Sequence, residues 1–304
     1  LNIAGSGLKL FHNGVLRNDG TLVFGGTGDL RLGLNATLDN RGLFDARNDQ
    51  ALVVAGGDGA AVINNSGTFR KSAGTATTNI GGGGQIVVFN NTGTVDADVG
   101  TIAIGQGGTS TAGAFNADPG AAIAFNSSYT FQAGTTLTGD VAFNSGTQTL
   151  NGAIAANALR WQGATISGTF TLTGAVNWSS GLVNATVTIP VGSTLNLATA
   201  SDKTLSTGAL SIAGTMTWSD TGNVTFLNGA AFNIQSGGML EIQTDAIMSV
   251  PGGAGSGMIN NSGTIRKSAG SGIAIIGSVQ GPNLNNSGLV EVQTGTIQLG
   301  LPGT

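Results

Sequence analysis

The sequence contains no cysteine, few charged residues and little that favours helices. Without cysteine the chain has no disulfide staples and no thiolate metal sites, so its stability must come from packing and backbone pairing. Charged residues make up 9% of the chain, and the net charge of -4 is spread thinly. Nucleic acid and anionic membranes are therefore disfavoured as partners. No run of about 18 apolar residues is present, so no membrane-spanning helix is predicted.

The residues that are abundant favour strands and turns. Glycine occupies 53 positions, Asn, Ser and Thr are frequent throughout, and hydrophobic residues account for 40% of the chain. This composition suits β-structure better than helices. The hydrophobic fraction is also large enough for a continuous core, so we expect a folded chain despite the glycine content.

A long internal repeat indicates the architecture. The segment VINNSGTFRKSAG at Val62 matches MINNSGTIRKSAG at Met258, an offset of 196 residues, and LNIAGSGLKL at Leu1 matches LNLATASDKT at Leu195, an offset of 194. Residues 1–110 therefore recur as 195–304, separated by a spacer over 111–194. A fixed period of this kind is typical of repeat architectures.

A shorter repeat sets the expected coil. Glycines follow Asn-rich turns such as RNDGT and NNSGT at spacings of 22, 25 and 26 residues in the first copy (Gly20, Gly42, Gly67, Gly93) and 24, 25 and 25 in the second (Gly214, Gly238, Gly263, Gly288). Apolar and polar residues alternate between these turns in the manner of strands. The pattern predicts an all-β fold, a right-handed parallel β-helix, as one continuous solenoid over 1–304. Roughly 12–13 coils of about 17–27 residues would form a rod about 60 Å long.

Paired asparagines at the turns predict a structural ladder. They precede the marker glycines in both copies, and we expect them to hydrogen-bond between coils and hold the register. The residues are Asn64, Asn65, Asn90, Asn91, Asn260, Asn261, Asn285 and Asn286.

A basic doublet recurs with the long repeat. Arg70 and Lys71 return as Arg266 and Lys267, each directly after a strand-like dipeptide. Neighbouring residues on a strand point to opposite faces, so one member of each doublet would otherwise face the core. We expect a coil corner at which both side chains reach water. The alternative is a contact patch for lateral packing or for an anionic glycan.

The sequence offers weak material for catalysis. Asp96 and Asp98 in TVDADVG form the best local carboxylate pair for glycoside hydrolysis, but the second copy has Glu291 and Gln293 there. A solvated outer face is the simpler interpretation, with a calcium or catalytic site as the alternative. His12 is the single histidine and has no partners for a triad or a zinc site. We therefore expect no enzyme, no cofactor and no metal.

Three tryptophans allow two interpretations. Trp161, Trp178 and Trp218 could form an exposed aromatic track for sugars, since their rings offer large apolar faces with a polar edge. Inward packing between adjacent coils is the simpler interpretation.

The NNSGT, TVDADVG and GTIQLG phrases, in coils of this length, resemble the secreted repeat proteins of bacteria of the filamentous-haemagglutinin and autotransporter-adhesin type. That resemblance implies a right-handed parallel β-helix, export to the bacterial cell surface or medium, and a structural or adhesive extracellular rod or filament. The partners it implies are further copies of the chain, stacked end to end or in tandem, or host and matrix glycans. A polysaccharide-binding module is the second functional class, and a polysaccharide-degrading β-helix enzyme is the third.

Overall fold

The computed structural model describes residues 1–54, 59–82, 86–251, 257–277 and 281–300, and their regular structure consists of 35 β-strands. The chain divides into two compact units. The first comprises 1–149 and 157–159, and the second comprises 150–156 and 160–304. The division falls within the segment that the sequence indicates as a spacer.

The strands are short, and most have four residues or fewer because a turn follows each of them. The first unit contains β1 Asn2–Ile3, β2 Lys9–His12, β3 Val15–Asn18, β4 Thr21–Phe24, β5 Leu30–Gly33, β6 Thr37–Asn40, β7 Leu43–Ala46, β8 Leu52–Val54, β9 Ala61–Asn65, β10 Thr68–Lys71, β11 Thr77–Ile80, β12 Val87–Asn91, β13 Thr94–Ala97, β14 Thr101–Ile104, β15 Thr109–Ser110, β16 Ala114–Ala117, β17 Ala122–Phe125, β18 Tyr129–Phe131, β19 Thr136–Thr138 and β20 Val141–Phe143.

One long strand and fourteen short ones complete the described structure. Strand β21, Thr147–Ile189, contains the boundary between the units. The second unit continues with β22 Thr194–Leu197, β23 Lys203–Ser206, β24 Ala209–Ile212, β25 Thr215–Trp218, β26 Val224–Leu227, β27 Ala231–Ile234, β28 Met239–Ile242, β29 Ile247–Ser249, β30 Met258–Asn261, β31 Thr264–Lys267, β32 Ile273–Ile276, β33 Asn283–Asn286, β34 Leu289–Val292 and β35 Thr296–Leu299.

Each unit is a parallel β-solenoid with three strands per coil. In the first unit each strand from β1 to β17 pairs in parallel with the strand three positions later in the chain, as in the series β4, β7, β10 and β13. The same rule holds in the second unit for β22, β25, β28, β31 and β34. The parallel β-solenoid class predicted from the sequence is confirmed, while its right-handed winding and its continuity over 1–304 stay predictions.

The marker glycines set the length of each coil. Thr68 lies opposite Leu43 and Thr94 opposite Thr68, so the register repeats at the glycine spacing. A Cβ added at Gly67 would strike the carbonyl oxygen of Gly42 one coil earlier, and one at Gly93 would strike that of Gly67. Only a residue without a side chain allows the corners to stack this closely.

Stacked apolar side chains fill each solenoid. In the first unit the rings of Phe44 and Phe69, opposite one another in the register, stack at 4.6 Å between centroids. In the second unit Leu195, Met216 and Leu240 occupy one such column and are buried. Alternate residues of each strand face inward, so burial follows the period of two that the sequence shows.

Candidate functional site

The paired asparagines divide into an outer and an inner ladder, because neighbours on a strand face opposite ways. In the outer ladder Asn90 Nδ2 donates to Asn64 Oδ1 at 3.0 Å. In the second unit Asn285 Nδ2 donates to Asn260 Oδ1 at 2.9 Å, and Asn260 donates onward to Asn233 at 2.8 Å. The hydrogen bonds between coils that we expect from the sequence are therefore present at these outer positions.

The inner ladder is buried. Asn18 donates to Asn40 at 2.7 Å, Asn40 to Asn65 at 2.7 Å, and Asn65 to Asn91 at 2.8 Å. Asn65 Nδ2 also donates to the carbonyl oxygen of Thr94 at 2.9 Å. Asn18, Asn40 and Asn65 are thus each tied both to the next amide and to the backbone of the next coil.

The second unit repeats this arrangement where Asn261 Nδ2 donates to Asn286 Oδ1 at 2.6 Å. Sequence reasoning missed Asn18 and Asn40 as ladder members because it looked for asparagine doublets. The signal was an asparagine two residues before a marker glycine, which RNDGT and DNRGL share with NNSGT.

The two basic doublets are split between the surface and the core. Lys71 and Lys267 are fully buried, so the expectation that both members reach water is wrong for the lysines. The physical reason is strand alternation, which places the residue after an outward arginine inside. Of the proposed contact patch, only Arg70 and Arg266 have partly exposed side chains, at 33% and 32%.

The outward arginines belong to columns of alternating charge. Arg70 lies between Asp45 and Asp96 in the register, and its Nε is 3.3 Å from Asp45 Oδ1. Arg266 lies between Glu241 and Glu291 and contacts Glu241 Oε2 at 2.7 Å. The long repeat therefore preserves an acid, arginine, acid column in both copies. These charges are directed at neighbouring coils.

Asp45 is the most enclosed acid of its column, with a fully buried side chain. Ser72 Oγ donates to its carboxylate at 2.6 Å, Arg47 Nε at 2.7 Å and Arg70 Nε at 3.3 Å. Burial alone would raise the pKa of Asp45, but the hydrogen bonds from Ser72, Arg70 and Arg47 outweigh it and lower the pKa below its ordinary value.

Asp96 and Asp98 are the candidate catalytic pair and lie near Arg70. Their negative charges are balanced by fewer positive groups than that of Asp45. Burial, followed by repulsion from Asp98 and Asp118, raises the pKa of Asp96. Burial also raises the pKa of Asp98, against the attraction of Arg70. In the second copy Gln293 donates to Glu291 at 3.0 Å, so a side-chain amide replaces the second carboxylate.

The tryptophans and the histidine occupy contrasting positions. Trp161, Trp178 and Trp218 are all buried, as the inward interpretation predicts, and Trp161 and Trp178 meet edge to face at 6.1 Å. They offer no exposed track for sugars. His12 lies exposed on β2.

The surface depressions that the structure describes include one across two stacked asparagine corners of the second unit, lined by Asn260, Asn261, Ser262, Asn285, Asn286 and Ser287. Within the described ranges no group of three or more metal-binding side chains is assembled, and no helix there is long and apolar enough to cross a membrane.

These features define a repeat protein of the parallel β-solenoid class, whose recurring polar residues join one coil to the next. No protein-family model, curated protein or solved structure matches the chain.

Proposed function

We propose that this chain is a structural segment of an extracellular bacterial rod or filament, with an adhesive role for its outer faces. One observation carries the proposal. The polar residues that recur with the long repeat form contacts between coils in both units: the inner asparagines, the acid and arginine columns, and the buried lysines. Their recurrence therefore serves stacking.

The chemistry of the outer faces supports a structural role rather than a catalytic one. Charge is sparse, and Arg70 and Arg266 are engaged by acids of neighbouring coils. The pair of carboxylates at Asp96 and Asp98 is present in the first copy of the long repeat and not in the second. This difference argues against a catalytic function that recurs with the repeat. A location on the bacterial cell surface or in the medium is part of the proposal and rests on the resemblance of the coil phrases to secreted adhesins.

Electron microscopy of the purified chain, without added ligand and over a concentration series, tests the structural role. We expect stiff particles of constant width, of about one coil diameter, that join into longer filaments as concentration rises. Compact particles of irregular outline, or particles that bend freely, would contradict the proposal.

A binding screen against extracellular glycans tests the adhesive role separately. The outer asparagine ladder offers amide groups at coil spacing and a polar depression beside Asn260 and Asn285, so neutral glycans are the expected ligands. The matched variant Asn285→Ala removes one rung, and we expect it to weaken capture. Equal capture by the variant, or capture of anionic glycans alone, would contradict an adhesive surface at this ladder.

A further inference from the structure

The ammonium group of Lys71 is held inside the first solenoid by oxygen atoms. Its Nζ donates to the carbonyl oxygen of Asn48 at 2.7 Å, to Asp49 Oδ1 at 2.7 Å, to the carbonyl oxygen of Ala73 at 3.1 Å and to Thr78 Oγ1 at 3.1 Å. The side chain is fully buried. A charge removed from water is costly unless such ligands replace its hydration shell.

The same arrangement recurs in the second unit. Lys267 Nζ donates to the carbonyl oxygen of Thr244 at 2.8 Å, to Asp245 Oδ1 at 2.7 Å and to the carbonyl oxygen of Ala269 at 2.9 Å. In both units the ligands come from residues 23 and 22 positions earlier and two positions later. Two independent copies therefore build one geometry.

Glycines close the space around each ammonium. A Cβ at Gly100 would lie 2.9 Å from Lys71 Cε, and a Cβ at Gly295 would lie 2.9 Å from Lys267 Cε. A Cβ at Gly270 would also lie 2.8 Å from Lys267 Nζ. The space accepts an aminoalkyl chain and little more.

A third buried lysine uses the same chemistry outside the doublets. Lys203 Nζ donates to the carbonyl oxygen of Thr199 at 2.7 Å and contacts Asp220. Its side chain is fully buried, and a Cβ at Gly222 would lie 3.0 Å from the Nζ. All three buried lysines therefore pair with an aspartate and donate to at least one backbone carbonyl.

We propose that the corners around Lys71 and Lys267 are cation-binding sites for a primary ammonium group, which the chain fills with its own lysines, and that truncation of either lysine opens the site to a small alkylammonium ion. The backbone carbonyls and the aspartate supply the site, since they belong to other residues and stay when the lysine is shortened. This inference is independent of the proposed extracellular role.

The test is chemical rescue of Lys71→Ala. n-Propylammonium has the three carbons and the ammonium that this substitution removes, so it is added during refolding and the unfolding midpoint is followed against its concentration. We expect the midpoint of Lys71→Ala to rise with n-propylammonium, because a ligand that binds only the folded state stabilises it by mass action. Tetramethylammonium at equal ionic strength and neutral 1-propanol should give no comparable rise.

Two matched variants sharpen the result. Lys71→Met fills the space without a charge, so its midpoint should not respond to n-propylammonium. Thr78→Ala added to Lys71→Ala removes one oxygen ligand and reproduces the second unit, where the buried Ala274 takes that place. We expect it to shift rescue to higher n-propylammonium concentrations.

Lys267→Ala tests the equivalent site in the second unit. It keeps the proposal testable if Lys71→Ala does not fold. If Lys71→Ala folds only with n-propylammonium, or if either alanine variant is stabilised by it selectively, the proposal stands. If neither variant responds to n-propylammonium beyond the response of Lys71→Met, the corners are not ammonium sites and the proposal fails.

Discussion

At the residue scale, two carboxylates of one column have pKa values shifted in opposite directions by their surroundings. Asp45 receives hydrogen bonds from two arginines and a serine, and its pKa is lowered despite burial. Asp96, two coils further along, is partly buried beside other acids, and its pKa is raised. The ionised form of Asp45 therefore favours the folded state, whereas the ionised form of Asp96 opposes it.

Replacing each acid with its amide separates these two environments. We expect Asp45→Asn to lower the free energy of unfolding at neutral pH by about 2 kcal/mol, because buried hydrogen bonds to a charged group are lost. We expect Asp96→Asn to raise it by about 0.5 kcal/mol, because the amide relieves first the burial of a charge and then the repulsion from Asp98 and Asp118. Urea titration of both variants measures the difference, and equal effects would contradict the assignment.

The same residues predict how stability depends on pH. Carboxyls with lowered pKa, Asp45 and Asp245, stabilise the fold above their ordinary pKa, and this contribution is lost as the pH falls through their lowered values. The carboxyls of Asp96 and Asp98 have a raised pKa, chiefly because their charged forms are partly buried. They therefore gain a proton earlier, as the pH falls through their raised values, and this protonation stabilises the fold. Thermal unfolding across pH should show a small gain on mild acidification and a loss below the ordinary aspartate pKa.

The wild-type gain on mild acidification should be smaller in Asp96→Asn, which keeps only the contribution of Asp98. If that variant keeps the full gain, another group is responsible for it.

At the element scale, the corner is the unit that joins one coil to the next. It consists of an inward asparagine, a glycine two residues later and the strand that follows. The asparagine pairs with its equivalents in both neighbouring coils, and the glycine lets the backbones approach. Both features depend on position within the coil, so adjacent residues of the same type should differ in importance.

Asn64 and Asn65 are such a matched pair. Asn65→Ala removes one hydrogen bond from each of the buried amides of Asn40 and Asn91 and the bond from Asn65 to the carbonyl oxygen of Thr94. We expect a loss of about 2 kcal/mol in the free energy of unfolding. Asn64→Ala removes an outer rung that water can replace, and we expect a loss of about 0.5 kcal/mol. Denaturant titration measures the two losses. A larger loss in Asn64→Ala would contradict the claim that the inner ladder contributes more to stability than the outer one.

Gly67 and Gly20 test the close approach of corners. Gly67→Ala places a methyl group against the carbonyl oxygen of Gly42, and we expect a loss of about 3 kcal/mol in the free energy of unfolding from overpacking. Nothing lies within 4 Å of a Cβ at Gly20, so Gly20→Ala should change it by less than about 0.5 kcal/mol. Similar losses in both variants would point to a general effect of removing glycine.

At the scale of the whole molecule, the sequence predicted the architecture better than it predicted the polar sites. The spacing of Gly42, Gly67 and Gly93 matched the register because a solenoid repeats its contacts at its coil length. The outward or inward direction of neighbouring polar residues was harder to predict. Lys71 can face the core because oxygen atoms of residues 22 and 23 positions earlier accept hydrogen bonds from its ammonium group there. The sequence around Lys71 does not indicate these distant ligands.

Each solenoid is bound together by contacts between neighbouring coils, so its stability should be nearly a sum of neighbour terms. Pulling single molecules from both termini tests this central claim most directly. We predict that extension proceeds in steps that are whole multiples of one coil, about 80 Å for roughly 24 residues of extended chain. Steps with no relation to the coil length would contradict a molecule held together coil by coil.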